Sequence, residues 1–149
     1  MFQFFKRIHA EESRKLTALI LAAFLITFFI SRLTVYLVIN DFLPDLFLTI
    51  GNVHIHHFSY GVVILAATGL FLLLARPEAG RRQLRLASVV YGIGLGLTFD
   101  EFGMWVRLED NYWIRQSYDA VVVVTLLLLN IAYFKPLVKA LYERFWQKK

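Results

Sequence analysis

Four long apolar stretches, separated by short polar ones, organise this chain. The first runs from Leu16 to Ile39, LTALILAAFLITFFISRLTVYLVI, and Arg32 alone interrupts it. The second runs from about Phe58 to Ala75, the third from Leu84 to Val106 and the fourth from about Tyr118 to Phe134. A helix needs roughly 20 apolar residues to cross a hydrocarbon core of about 30 Å. Backbone in lipid must satisfy its own hydrogen bonds, so runs of this length read as helices rather than strands. The pattern predicts an all-α polytopic membrane protein, a four-transmembrane-helix bundle with spans at about 16–39, 58–75, 84–106 and 118–134. With no repeat, low-complexity tract or linker, residues 1–149 read as a single domain.

The two ends carry a different periodicity. In PLVKALYERFWQKK, Leu137, Val138, Leu141, Tyr142, Phe145 and Trp146 recur at helical spacing opposite a basic face. That pattern predicts an amphipathic helix lying on anionic lipid, and Phe2 to Ile8 predicts a shorter one. The first apolar run is too long for a signal-peptide core and no small-x-small site follows it, so it reads as an uncleaved span.

Composition sharpens this picture. The chain is 58% apolar and has no cysteine, which removes disulfides, thiolate metal sites and cysteine nucleophiles. A net charge of +5 suggests nucleic acid only until the charges are located. Lys6, Arg7, Arg14 and Lys15 precede the first span, and the loop from Asn40 to His57 has no lysine or arginine. The second loop is rich in arginine, the third balances Arg107 and Arg115 with Glu109 and Asp110, and the tail is basic again. Lysine and arginine gather on the cytoplasmic side, so both termini are expected there. Trp105, Tyr112, Trp113 and Tyr118 would form an outer interfacial belt, with Tyr142 and Trp146 on the inner side.

That orientation gathers the chemistry at one level. His54, His56 and His57 fall in the outer loop before the second span. Asp100 and Glu101 lie in the outer third of the third span, Asp119 at the outer start of the fourth, and Arg32 in the outer half of the first. Ionisable groups within a span cost roughly 2.5–3.5 kcal/mol each, so they face the bundle interior and usually mark function. Gly92, Gly96 and Asp100 share one helical face, whose small residues let helices approach closely. Glu101 is turned about 100° from it. If the histidine run is helical, His54 and His57 share a face; if extended, His54 and His56 do.

Imidazole with carboxylate suits zinc, iron or manganese, so His54, His56, His57, Asp100 and Asp119 are candidate ligands of a divalent metal. Their spacing matches no established metal signature. Interfacial capping by the histidines is the plain alternative, as is helix-start capping by Asp119. Asp100 or Glu101 would alternatively pair with Arg32. GxGxG lies within a span and reads as a packing face, not a nucleotide loop.

The segments VHIHHFSYG and YGIGLGLTFDEFGMWVRLEDNYWIRQSYDAVVV, together covering roughly residues 50 to 125, resemble a family of small, uncharacterised bacterial integral membrane proteins. The resemblance implies a bacterial inner-membrane location and supplies no activity. A more distant analogy is to the membrane hydrolases that include the alkaline ceramidases, which place histidines and an aspartate around an intramembrane zinc within seven spans. Only the chemical idea transfers to a chain with four spans.

Three functional classes remain. The first is a metal-dependent hydrolase or transferase acting on a lipid-like substrate. In it Asp100 or Glu101 serves as general base, and Arg32 steadies an oxyanion or a lipid phosphate. The second is a small ion or proton transporter or channel, assembled as a homo-oligomer. The third is an accessory subunit whose polar cluster only stabilises the bundle. Membrane lipids are the expected partners, and nucleic acid is not.

Overall fold

A computed structural model describes residues 2–44, 49–50, 53–78, 82–109, 111–134, 138 and 142, with side chains described for 11–44, 55–78, 82–109, 111–134, 138 and 142. The order is α1 (Phe2–Ile39), β1 (Thr49–Ile50), β2 (Val53–His54), α2 (His57–Ala75), α3 (Arg82–Asp100), α4 (Phe102–Arg107) and α5 (Arg115–Leu129). A π-helical turn, Asn130–Phe134, extends α5. Among the described residues the regular structure is helical apart from β1 and β2, a two-residue antiparallel ladder pairing Thr49 with His54.

Three helical segments are long and apolar enough to cross a membrane: Glu11–Ile39, His57–Ala75 and Arg115–Phe134. Most of their apolar side chains point outward. Phe29, Val63, Leu74 and Leu126 are all more than half exposed, and few large apolar residues are fully covered. An exposed apolar surface of this extent is untenable in water, where monomers rarely show contiguous patches above a few hundred Å². It is what hydrocarbon solvates.

The core is the seam around α3, which packs along both α1 and α2. Between Tyr91 and Asp100 its residues alternate between half-buried and buried, so that Gly92, Gly94, Gly96, Thr98 and Asp100 are all covered. Two residues along a helix is a turn of about 200°, so this alternation means two opposite faces are covered at once. Gly92 and Gly96 face α1: a Cβ on Gly92 would lie 2.5 Å from the Ile20 carbonyl oxygen, and one on Gly96 2.6 Å from Thr27 Cβ. Gly94 and Thr98 face α2, where a Cβ on Gly61 would lie 2.6 Å from the Thr98 amide nitrogen and 2.8 Å from the Gly94 carbonyl oxygen. The sequence pattern reveals the first face; the second depends on α2 docking opposite.

Several boundaries differ from expectation. The segment Phe2–Ile8 is helical but continues unbroken into α1 rather than forming a separate element. The expected single span from Leu84 to Val106 breaks: α3 ends at Asp100, Glu101 takes φ −104° and ψ 10°, and α4 follows. Helix α5 begins at Arg115, which places Asp119 beyond the first turn, where the capping alternative would have put it. The C-terminal amphipathic helix and the Leu46–Ile50 dip fall largely outside the described residues.

Candidate functional site

The break in α3 is where the polar residues meet. Ending a helix leaves carbonyl groups without intrahelical partners. Here Arg32, from α1, donates through Nη2 to the Asp100 carbonyl oxygen and through Nη1 to that of Tyr112. Its Nε lies 2.7 Å from Asp100 Oδ1, a pair in which the carboxylate is fully covered and the guanidinium nearly so. Phe28, Trp113 and Tyr118 surround the guanidinium with ring centroids 5.5, 6.0 and 4.9 Å away. Aromatic faces attract a desolvated cation. Arg32 is thus committed to holding α1, the α3 end and the α4–α5 connection together. Its geometry does not support the substrate-oxyanion role that its position in the sequence suggested.

Glu101 closes the other side. The residue is 1% exposed, and its Oε2 accepts a 2.9 Å hydrogen bond from the Phe58 amide. That amide belongs to the first turn of α2, one of the donors a helix start leaves unpaired. His56, at the N-cap position, makes no side-chain cap. Glu101 therefore caps α2 from a different helix, with its charge at the positive end of the α2 dipole. Phe58 also stacks on Trp105 of α4, at 5.3 Å and 11° between planes, which fixes the start of α2 against the break.

The histidine run spans the junction between strand and helix. His54 lies on β2 with its side chain outside those described, His56 is extended at φ −68° and ψ 148°, and His57 opens α2. His56 Nδ1 is 3.4 Å from Glu101 Oε1. His57 Nδ1 is 3.8 Å from Glu101 Oε1 and 3.9 Å from Asp100 Oδ2. The acids are sealed while the imidazoles stay partly open, with side chains 38% exposed at His56 and 23% at His57. The histidines are the rim and the carboxylates the floor.

Sequence reasoning missed two contributors. Ser117 is fully buried, and its Oγ accepts the Gly103 amide at 2.9 Å, tying α5 to α4. Tyr60 lies one turn along α2 from His57, ring centroids 6.4 Å apart. Its hydroxyl and Asp100 Oδ2 are buried without a hydrogen-bond partner among the described residues. The i, i+3 spacing from His57 was the sequence signal for Tyr60, and Ser117 carried none. Asp119 does not join the cluster: it is exposed and pairs with Arg115 at 3.3 Å.

Chemically, the site holds one fixed cation, Arg32, against two buried acids. The separations between imidazole nitrogen and carboxylate oxygen exceed an ordinary hydrogen bond of about 2.7–3.2 Å. Two ligands about 2.0–2.2 Å from a tetrahedral metal stand roughly 3.4 Å apart, which these separations approach. Among the described residues, no three His, Cys, Asp or Glu side chains are already gathered as ligands of one metal ion. No family model matches the chain, and no curated protein and no solved structure matches it.

Proposed function

We propose that this is a bacterial inner-membrane protein that crosses the bilayer four times, with both termini cytoplasmic, and that its outward end holds a divalent-cation centre. The fourth span is α3, less apolar than the others because Arg82, Arg85 and Asp100 lie at its ends. Its 19 residues extend about 28 Å, close to the hydrocarbon thickness. Packed between α1 and α2, it has little lipid-facing surface to keep apolar. The alternation of basic loops supports the orientation.

One observation carries the cation reading. With Arg32 paired to Asp100, Glu101 has no fixed cationic side chain among its described partners, and it faces His56 and His57. A buried carboxylate beside imidazoles favours uptake of a positive charge. His56, His57 and Glu101 are the donors for a zinc, iron or manganese ion, with Asp100 Oδ2 adjacent and unbonded. Such an ion would supply a water acidic enough to attack a lipid ester, amide or phosphoester, the substrate class within reach at this depth.

The test is elemental analysis of protein purified without chelator, beside Glu101→Gln and His57→Ala. Stoichiometric zinc, iron or manganese in the parent, lost in both variants that remain folded, is the expected result. A metal-free parent protein would overturn the reading.

A second reading is favoured by the full commitment of Arg32: the cluster is a structural clamp of an accessory subunit. It is separated from the first by metal content, which a clamp does not require. Transport is less well supported, because no ionisable residue among the described ones is buried in the bundle away from this end.

A further inference from the structure

The connection from α4 to α5 borders an open polar recess of about 570 Å³, lined by residues that include Arg107, Glu109, Arg115, Gln116 and Asp119. None of these residues belongs to the His–carboxylate cluster. Each arginine is oriented along one edge. With the Gln116 amide turned so that its oxygen faces Arg107, that oxygen accepts from Nη2 and Nε at 2.6 and 3.0 Å. Arg115 Nε lies 3.3 Å from Asp119 Oδ2. A guanidinium has five N–H donors, so both keep donors for a ligand.

Depth and charge identify that ligand. Trp105 and Trp113 each stand two residues before one of these arginines and are 59% and 51% exposed. Exposed tryptophan settles at the level of lipid headgroups, so the two guanidinium groups stand at the level of the phosphates. Glu109 and Asp119 balance the two arginines, so a purely anionic ligand would meet two carboxylates as well. We infer that this recess binds the headgroup of a zwitterionic phospholipid, its phosphate on Arg107 and Arg115 and its ammonium on Glu109 and Asp119. The inference rests on the membrane-spanning reading and is independent of the metal.

The experiment uses the full chain in mild detergent with equal amounts of phosphatidylethanolamine and phosphatidylglycerol, bound lipid being read by native mass spectrometry. The parent protein retains phosphatidylethanolamine in excess, and Arg107→Gln with Arg115→Gln lowers retention by about tenfold or more, since charge-assisted hydrogen bonds are lost. Glu109→Gln with Asp119→Asn shifts the preference toward phosphatidylglycerol. Unchanged retention in the arginine variant overturns the inference, as does a parent protein preferring phosphatidylglycerol. Displacement of the lipid by soluble glycerophosphoethanolamine, but not by soluble glycerophosphoglycerol, would show that the headgroup itself is recognised and would support the inference. Extraction of membranes with alkaline carbonate is the separate check: release of the chain defeats the spanning reading itself, whereas a retained chain without lipid preference defeats only this inference.

Discussion

The Glu101 carboxylate accepts the Phe58 amide at 2.9 Å across 43 residues of chain, so an acid at the end of one helix completes the start of another. This bond separates the two properties of Glu101, its oxygen and its charge. Glu101→Gln keeps an acceptor and removes the charge; Glu101→Ala removes both. Thermal unfolding in detergent is expected to show Ala destabilised by about 1–3 kcal/mol, as for a buried amide left unpaired, and Gln by clearly less. Equal losses would mean that the hydrogen bond does not stabilise the fold.

Removing Arg32 strands a covered acid. Arg32→Met leaves Asp100 without its cation and is expected to lower stability by about 3–5 kcal/mol. Arg32→Lys restores the charge without the fork that reaches Tyr112 and Asp100 carbonyl groups, so it recovers only part of the loss. In Arg32→Met with Asp100→Leu the charge problem disappears from both sides. Greater stability in that double variant than in Arg32→Met alone, measured by denaturant titration, is the expected outcome.

Two glycines of α2 offer a matched contrast. A Cβ on Gly61 would press on the backbone of α3 at Thr98 and Gly94, whereas one on Gly69 meets nothing within 4 Å. Gly61→Ala is expected to lower the yield of folded, monodisperse protein severely, because backbone on both sides has no room to yield. Gly69→Ala is expected to be neutral or to stabilise by up to about 1 kcal/mol, the helical preference for alanine. Similar behaviour of the two would show that α2 and α3 are not closely packed at this point.

Ser117→Ala tests the tie between α4 and α5. The substitution leaves the Gly103 amide buried and unpaired, at a cost of about 1–3 kcal/mol. Because Gly103 lies two residues past Glu101, accelerated hydrogen exchange should appear in α4 before it appears in α3. Uniform acceleration across the bundle would instead indicate a global loss.

Much of this architecture is legible from local pattern. The apolar runs locate α1, α2 and α5, with the end of α1 at Ile39 and of α2 at Ala75 matching the hydropathy boundaries. Arg32, Asp100, Glu101, His56 and His57 converge because charged groups among apolar helices have few places to go. What stayed hidden depends on partners distant in sequence. No local signal breaks the helix at Glu101, where no proline or glycine intervenes; the break is tolerated because Arg32 and Phe58 arrive to satisfy it. The second glycine face of α3 is invisible until α2 docks. Asp119 reads as a cap only if α5 starts late, and the earlier start at Arg115 moves it onto an ordinary i, i+4 ion pair.

The contact between Gly61 and the Thr98–Gly94 backbone has a consequence for the height at which the polar groups meet. It lies one turn along α2 from His57, main chain against main chain, and on α3 Thr98 stands two residues before Asp100. Sliding of α2 along α3 is therefore blocked by backbone, and the imidazoles keep their level opposite the acids without help from charge.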